Sequence, residues 1–227
     1  MAGMADVFVM DYDLTIADEG YNYMIRKGVK KRLMDCKYCK YILATGRKFE
    51  DIPDRDVVGI FDAIVSENGT ILITEGGKVK RMLVDPKWSK TKGRLTSLLS
   101  QKCINYFEGE VILTCLKKDV DPIREALAEG GLIGEVSFEP NKVGTLIMSL
   151  NWNKGRGTKI ALEELGGGRL IAFGDDLNDL SLYDIADVKI VVKNAVPELK
   201  GRADIICDKD DGEGVVEVIE QLCGGKA

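Results

Sequence analysis

Short, near-continuous apolar runs separated by longer amphipathic stretches are the feature of this 227-residue chain that most restricts its fold. Val7–Met10, Tyr41–Ala44, Asp62–Val65, Leu170–Phe173, Lys189–Val192 and Asp204–Cys207 read as strands. The stretches at about 20–40, 47–58, 156–166, 177–186, 195–201 and 213–223 read as helices. Strands apolar on both faces that alternate with helices make an α/β domain, a parallel sheet covered on each side. The rhythm changes in the middle. From about Glu75 to Leu150 come a hairpin-like segment, a helix at Ser89–Gln101, a strand, a helix at Asp121–Glu129 and two further strands. That order predicts an antiparallel α+β unit, 75–150, inserted into a sheet domain made of 1–74 and 151–227.

Three of the apolar runs end on polar residues: VFVM on Asp11-Tyr-Asp13-Leu-Thr15, YILA on Thr45-Gly46-Arg47, and LIAF on Gly174-Asp175-Asp176-Leu-Asn178-Asp179. Ligands of open parallel sheets bind outside the carboxyl ends of the strands, so these residues are expected in one crevice. Each stretch alone has an ordinary reading as a helix cap or a turn. Taken together, Asp11, Asp13, Asp175 and Asp179 would repel one another unless a hard cation sits among them. Mg2+ suits such a set, since it takes few protein oxygens and keeps places for water and a phosphate.

Composition removes the competing chemistries. The chain contains no histidine, which excludes Ser–His–Asp hydrolysis, histidine general bases and His-ligated metals. A net charge of −5 without a basic stripe argues against nucleic acid as a partner. The apolar runs are too short to cross a bilayer, and the first residues lack the pattern of a secretory signal, so a cytoplasmic location away from membranes is expected. Six scattered cysteines fit reduced thiols. Cys36-Lys-Tyr-Cys39 has no second pair near it in the chain, so zinc would lack two ligands, and two incidental cysteines are the ordinary reading.

Asp11-x-Asp13-x-Thr15, Thr45, Lys154 in Asn151-Trp-Asn-Lys154-Gly155, and Gly174-Asp175-Asp176-x-Asn178-Asp179 resemble, in order, the four motifs of the haloacid dehalogenase superfamily. The insertion after Ser66-Glu67-Asn68-Gly69 is similar to the α+β cap of its Cof-like, type IIB branch, and the shortness of the insertion to that of archaeal-type phosphoglycolate phosphatases. The resemblance implies a Rossmann-like core with a type C2B cap and a magnesium-dependent phosphatase acting on a small phosphate ester. Phosphoglycolate is the first expectation and a sugar phosphate the second. Phosphomutase or phosphotransfer chemistry on the same scaffold, or a non-catalytic phosphate-binding regulator, are the alternatives; a monomer or homodimer is expected. One departure is Leu14, where the family usually has glycine.

By the same resemblance Asp11 is the nucleophile and Asp13 the acid–base, able also to meet the metal through its backbone carbonyl. Asp175 is a metal ligand, and Asp179 a ligand or the holder of a metal-bound water. Thr45, Gly46, Lys154 and Asn178 would bind the phosphate, with Lys159 the rival to Lys154. Arg81, Lys87, Lys90, Lys92 and Arg94 are the insertion's candidate contacts to an anionic substrate, though for each a solvated face is the plainer reading.

Overall fold

The computed structural model describes residues 5–36, 39–142 and 144–224. β1 (Asp6–Asp11) is buried along its whole length, as a central parallel strand requires. α1 (Lys27–Asp35), β2 (Lys40–Ala44), the single turn α2 (Val57–Ile60) and β3 (Ala63–Ser66) follow. The helix expected at 47–58 is reduced to that turn and a 3-10 turn at Phe49–Asp51, because Pro53 disfavours helix at the residue before it. β4 (Ile71–Thr74) and β5 (Val79–Met82) form an antiparallel hairpin that continues the sheet from β3. β5, which follows residue 75, is hydrogen-bonded into the large sheet as its edge. All four of its residues are exposed, and Lys80 and Arg81 guard that edge against further pairing.

Then come α3 (Lys87–Gln101), β6 (Phe107–Glu108), β7 (Leu113–Leu116), α4 (Val120–Glu129), β8 (Val136–Pro140) and β9 (Gly144–Ser149). These four strands make a separate antiparallel sheet in the order β6-β7-β9-β8. Trp88 of α3 is buried and donates its indole N–H to the carbonyl of Val111 at 2.8 Å, a packing role.

α5 (Lys154–Glu164), β10 (Arg169–Gly174), α6 (Leu180–Tyr183), β11 (Val188–Val191), α7 (Pro197–Lys200), β12 (Ile205–Ile206) and α8 (Asp211–Gly224) complete the chain. Gly166, Gly167 and Gly168 all have positive φ, which lets the chain reverse between α5 and β10. The large sheet runs β12-β11-β10-β1-β2-β3-β4-β5, parallel from β12 to β3. Strand order reverses at β1, which has β2 on one side and β10 on the other. Open α/β sheets bind their ligands at that point. No helix among the described residues is long and apolar enough to cross a membrane.

Candidate active site

Register decides what meets in the crevice. Asp11 pairs with Ala44, and Met10 with Phe173, so Thr45 and Asp175 each emerge within a residue or two of the level of Asp11.

Lys154 is the first residue of α5, which packs against β2 and β3 of the large sheet. Asn153 caps α5 by accepting from the Arg156 amide at 2.8 Å, which fixes Lys154 as the first helical residue. Two glycines let this helix end sit close. Gly69 has φ 99°, and a Cβ there would lie 1.9 Å from the Asn153 carbonyl; at Gly155 it would lie 2.0 Å from that of Ser181. The Lys154 ammonium is fully buried and donates to Asp11 at 2.6 Å and to Asp179 at 2.7 Å. Burial opposes its charge, but the two carboxylates outweigh this and raise its pKa. Lys159, the rival, is exposed on the outer face of α5.

Asp175 accepts from the buried hydroxyl of Thr15 at 2.9 Å and pairs with Lys142, from the turn between β8 and β9. The other oxygen of Asp179 accepts from the amides of Asp175 and Asp176 at 3.0 and 3.2 Å, fixing the turn that follows β10. Oxygens of Asp11, Asp175 and Asp179 lie within 4.8 Å of one another. Three clustered carboxylates are a donor set for a hard cation. Burial drives the pKa of Asp11 well above the carboxylate range, against Lys154 and with the neighbouring acids. Burial and then Asp179 push Asp175 up to about 6. The cluster is therefore short of positive charge, which a divalent ion would supply.

The Asp13 carboxylate is turned from this trio. Arg47 clasps it through Nε at 2.9 and 3.0 Å and Nη2 at 2.7 Å, its guanidinium also lying over the ring of Tyr23. Thr45 is buried, with its hydroxyl accepting from the Arg47 amide at 3.1 Å. Gly46 and Asn178 line the cavity, and the Asn178 amide is 3.5 Å from Asn68. Leu14 takes φ 59°, the left-handed backbone that a glycine adopts without strain. Asp176 serves as a helix cap, accepting from the Leu177 amide.

A cavity of about 310 Å3 opens above these groups, walled on its other side by Thr114, Leu146, Asn141 and Lys142 of the second sheet. Lys142 is the site residue the sequence reading missed. A lysine in a polar turn carries no periodic signal. The insertion's expected cations lie elsewhere: Arg81 pairs with Glu164, Arg94 with Glu135 and Lys92 with Glu108, while Lys87 and Lys90 are exposed.

The sequence profile of the haloacid dehalogenase-like hydrolases matches residues 110–219. A Sulfurisphaera tokodaii protein named phosphoglycolate phosphatase is 36% identical over 218 residues, covering 93% of this chain and 92% of its own. The chain belongs to the haloacid dehalogenase-like hydrolases. Solved structures agree at the level of fold. A subclass IIB sugar phosphatase of this superfamily matches with a TM-score of 0.77 at 14% identity, over 96% of this chain and 98% of the other. The sucrose-phosphatase of Synechocystis matches with a TM-score of 0.70 at 17% identity, over 96% and 98%. The three strand ends that carry haloacid dehalogenase-like motifs thus contribute to one pocket in this member, and Lys154 of the remaining motif is joined to it through Asp11.

Proposed function

We propose that this phosphoric monoester hydrolase is a magnesium-dependent phosphatase of a small ester, phosphoglycolate in the first place, working through an aspartyl phosphate. The observation that carries the reading is fully buried Lys154 bridging Asp179 to Asp11, which lines a pocket together with Asp13 and Asp175. The likeness to a phosphoglycolate phosphatase over nearly the whole chain supports the substrate, and the pocket's size supports a small one.

With Lys154 holding one oxygen of Asp11, the other attacks phosphorus as the bond to the ester oxygen breaks. Asp13 gives its proton to the departing alkoxide. As carboxylate it then takes a proton from the water that attacks the aspartyl phosphate, which releases phosphate and restores Asp11. Arg47 exchanges Asp13 for the incoming anion, which frees the carboxyl to carry its proton. The Thr45 hydroxyl, the Gly46 backbone and Asn178 fit the phosphoryl oxygens. Mg2+ would rest on Asp11, Asp175 and the backbone carbonyl of Asp13, with Asp179 holding Lys154 and the 175–176 turn behind them; when bound it neutralises phosphoryl charge. The second sheet and its helices act as the lid that keeps bulk water from the intermediate.

Asp11→Asn tests the assignment. Phosphate release from phosphoglycolate and from p-nitrophenyl phosphate should fall by ~10^4-fold or more with the melting transition intact. Persisting turnover would show that another residue accepts the phosphoryl group.

A further inference from the structure

A second cluster lies at the opposite end of the sheet. Cys36 directly follows α1, Cys39 directly precedes β2, and Cys223 sits in the last turn of α8. Their sulfurs converge: Cys36 to Cys223 is 2.7 Å, Cys39 to Cys223 3.1 Å and Cys36 to Cys39 3.3 Å. The Cys-x-x-Cys spacing that lacked partners in the sequence thus gains a third thiol from 184 residues beyond Cys39. Beside it, the buried hydroxyl of Tyr41 faces Cys36 as its hydrogen-bonding neighbour and meets no stronger acceptor among the described residues. A thiol is a weak acceptor for that phenol and a thiolate a stronger one, so ionising Cys36 on a metal would tighten the contact.

We propose that Cys36, Cys39 and Cys223 bind Zn2+ as a three-thiolate site, clamping the entry of β2 to the C-terminal helix. Cys-x-x-Cys is a common chelate spacing for zinc, and thiolate is a preferred donor. Tetrahedral zinc with bonds of ~2.3 Å holds its sulfurs ~3.8 Å apart, so the trio opens by roughly 0.5–1 Å to admit the ion. Each thiol releases its proton to solvent as its sulfur–metal bond forms, and the half-exposed position of the trio leaves the fourth place to water. Tyr41 then orients one thiolate from outside the ligand set. A disulfide would use two of these sulfurs and leave the third out of the bond, whereas a metal engages all three. The site lies at the start of β2 and the catalytic crevice at its end, ~15–20 Å away at ~3.3 Å per residue.

The test is an anaerobic titration of reduced, EDTA-treated full-length protein with Co2+, then Zn2+. A sulfur-to-cobalt charge-transfer band should saturate at a single equivalent, vanish on adding Zn2+, and be absent from Cys223→Ser and Cys36→Ser. Co2+ at the carboxylate site gives no such band. Zn2+ should raise the melting temperature of the wild type but not of Cys223→Ser, whose phosphatase rate with Mg2+ should stay within about twofold of wild type. Tyr41→Phe should keep the band and weaken Zn2+ binding ~10-fold or more. Absence of the band in the wild type, with all thiols freely titratable, would make the cysteines incidental. A Cys36–Cys223 or Cys36–Cys39 crosslink in untreated protein that persists with Zn2+ present would make them a redox pair. Either result overturns the proposal.

Discussion

Lys142, in the turn between β8 and β9, forms an ion pair with Asp175 at the end of β10. It carries positive charge from the second sheet into the candidate active-site crevice, where a small anionic substrate would present whatever charge its phosphate does not use. Lys142→Met should therefore raise KM for phosphoglycolate by ~10–100-fold, the effect of losing one charge-assisted hydrogen bond. For p-nitrophenyl phosphate, which lacks a second anionic group, the change should be much smaller. Equal losses on both esters in steady-state kinetics would place Lys142 outside substrate selection.

Lys154 neutralises two buried acids at once, so its removal costs more than a surface ion pair would. Lys154→Met should destabilise the fold by ~3–5 kcal/mol, the penalty for leaving buried charge unpaired. Adding Asp11→Asn to that variant should recover part of the loss, because one of the stranded carboxylates is then gone. Urea unfolding of the two single variants and the double variant measures this. Strict additivity would mean that the two side chains are not coupled.

Asp175, raised from 3.8 to about 6, makes stability depend on pH. The folded chain holds this proton more tightly than the unfolded chain does. Its contribution is fully present below about 4 and is lost as pH rises through 6, on the order of 2–3 kcal/mol at most. In EDTA, melting temperatures should reflect that decline, and Asp175→Asn should flatten this part of the curve. With Mg2+ the order reverses: protons compete with the ion for the carboxylate, so the rise in melting temperature conferred by Mg2+ should grow across the same window. A Mg2+ effect independent of pH from 4 to 7 would remove Asp175 from the ion's ligands.

Glu67, at the end of β3, accepts from the amides of Glu110, Val111 and Ile112 at 2.7, 2.7 and 2.9 Å, fastening the second sheet's approach to the first. Glu67→Ala leaves three donors without this acceptor. Amide exchange at residues 110–112 should accelerate by ~100-fold, corresponding to a local loss of about 3 kcal/mol. Unchanged exchange there would show that other contacts hold the second sheet in place.

The sequence by itself determined the six parallel strands and the three polar strand ends. Apolar periodicity and the burial it demands are local properties, and a strand that ends on Asp11 or Asp175 must deliver it to the carboxyl edge of the sheet. Lys154 was legible through its place before a helix, although only burial separates it from Lys159. The tertiary structure alone decided which cation meets which acid. Arg47 on Asp13, Lys142 on Asp175 and Cys223 beside Cys36 join residues from 33 to nearly 190 positions apart, and a long flexible side chain gives no pattern that betrays its aim. The hairpin of β4 and β5 went to the large sheet for a similar reason: backbone donors at an open edge are satisfied by whichever strand packing brings alongside, and alternation along the chain does not name that neighbour.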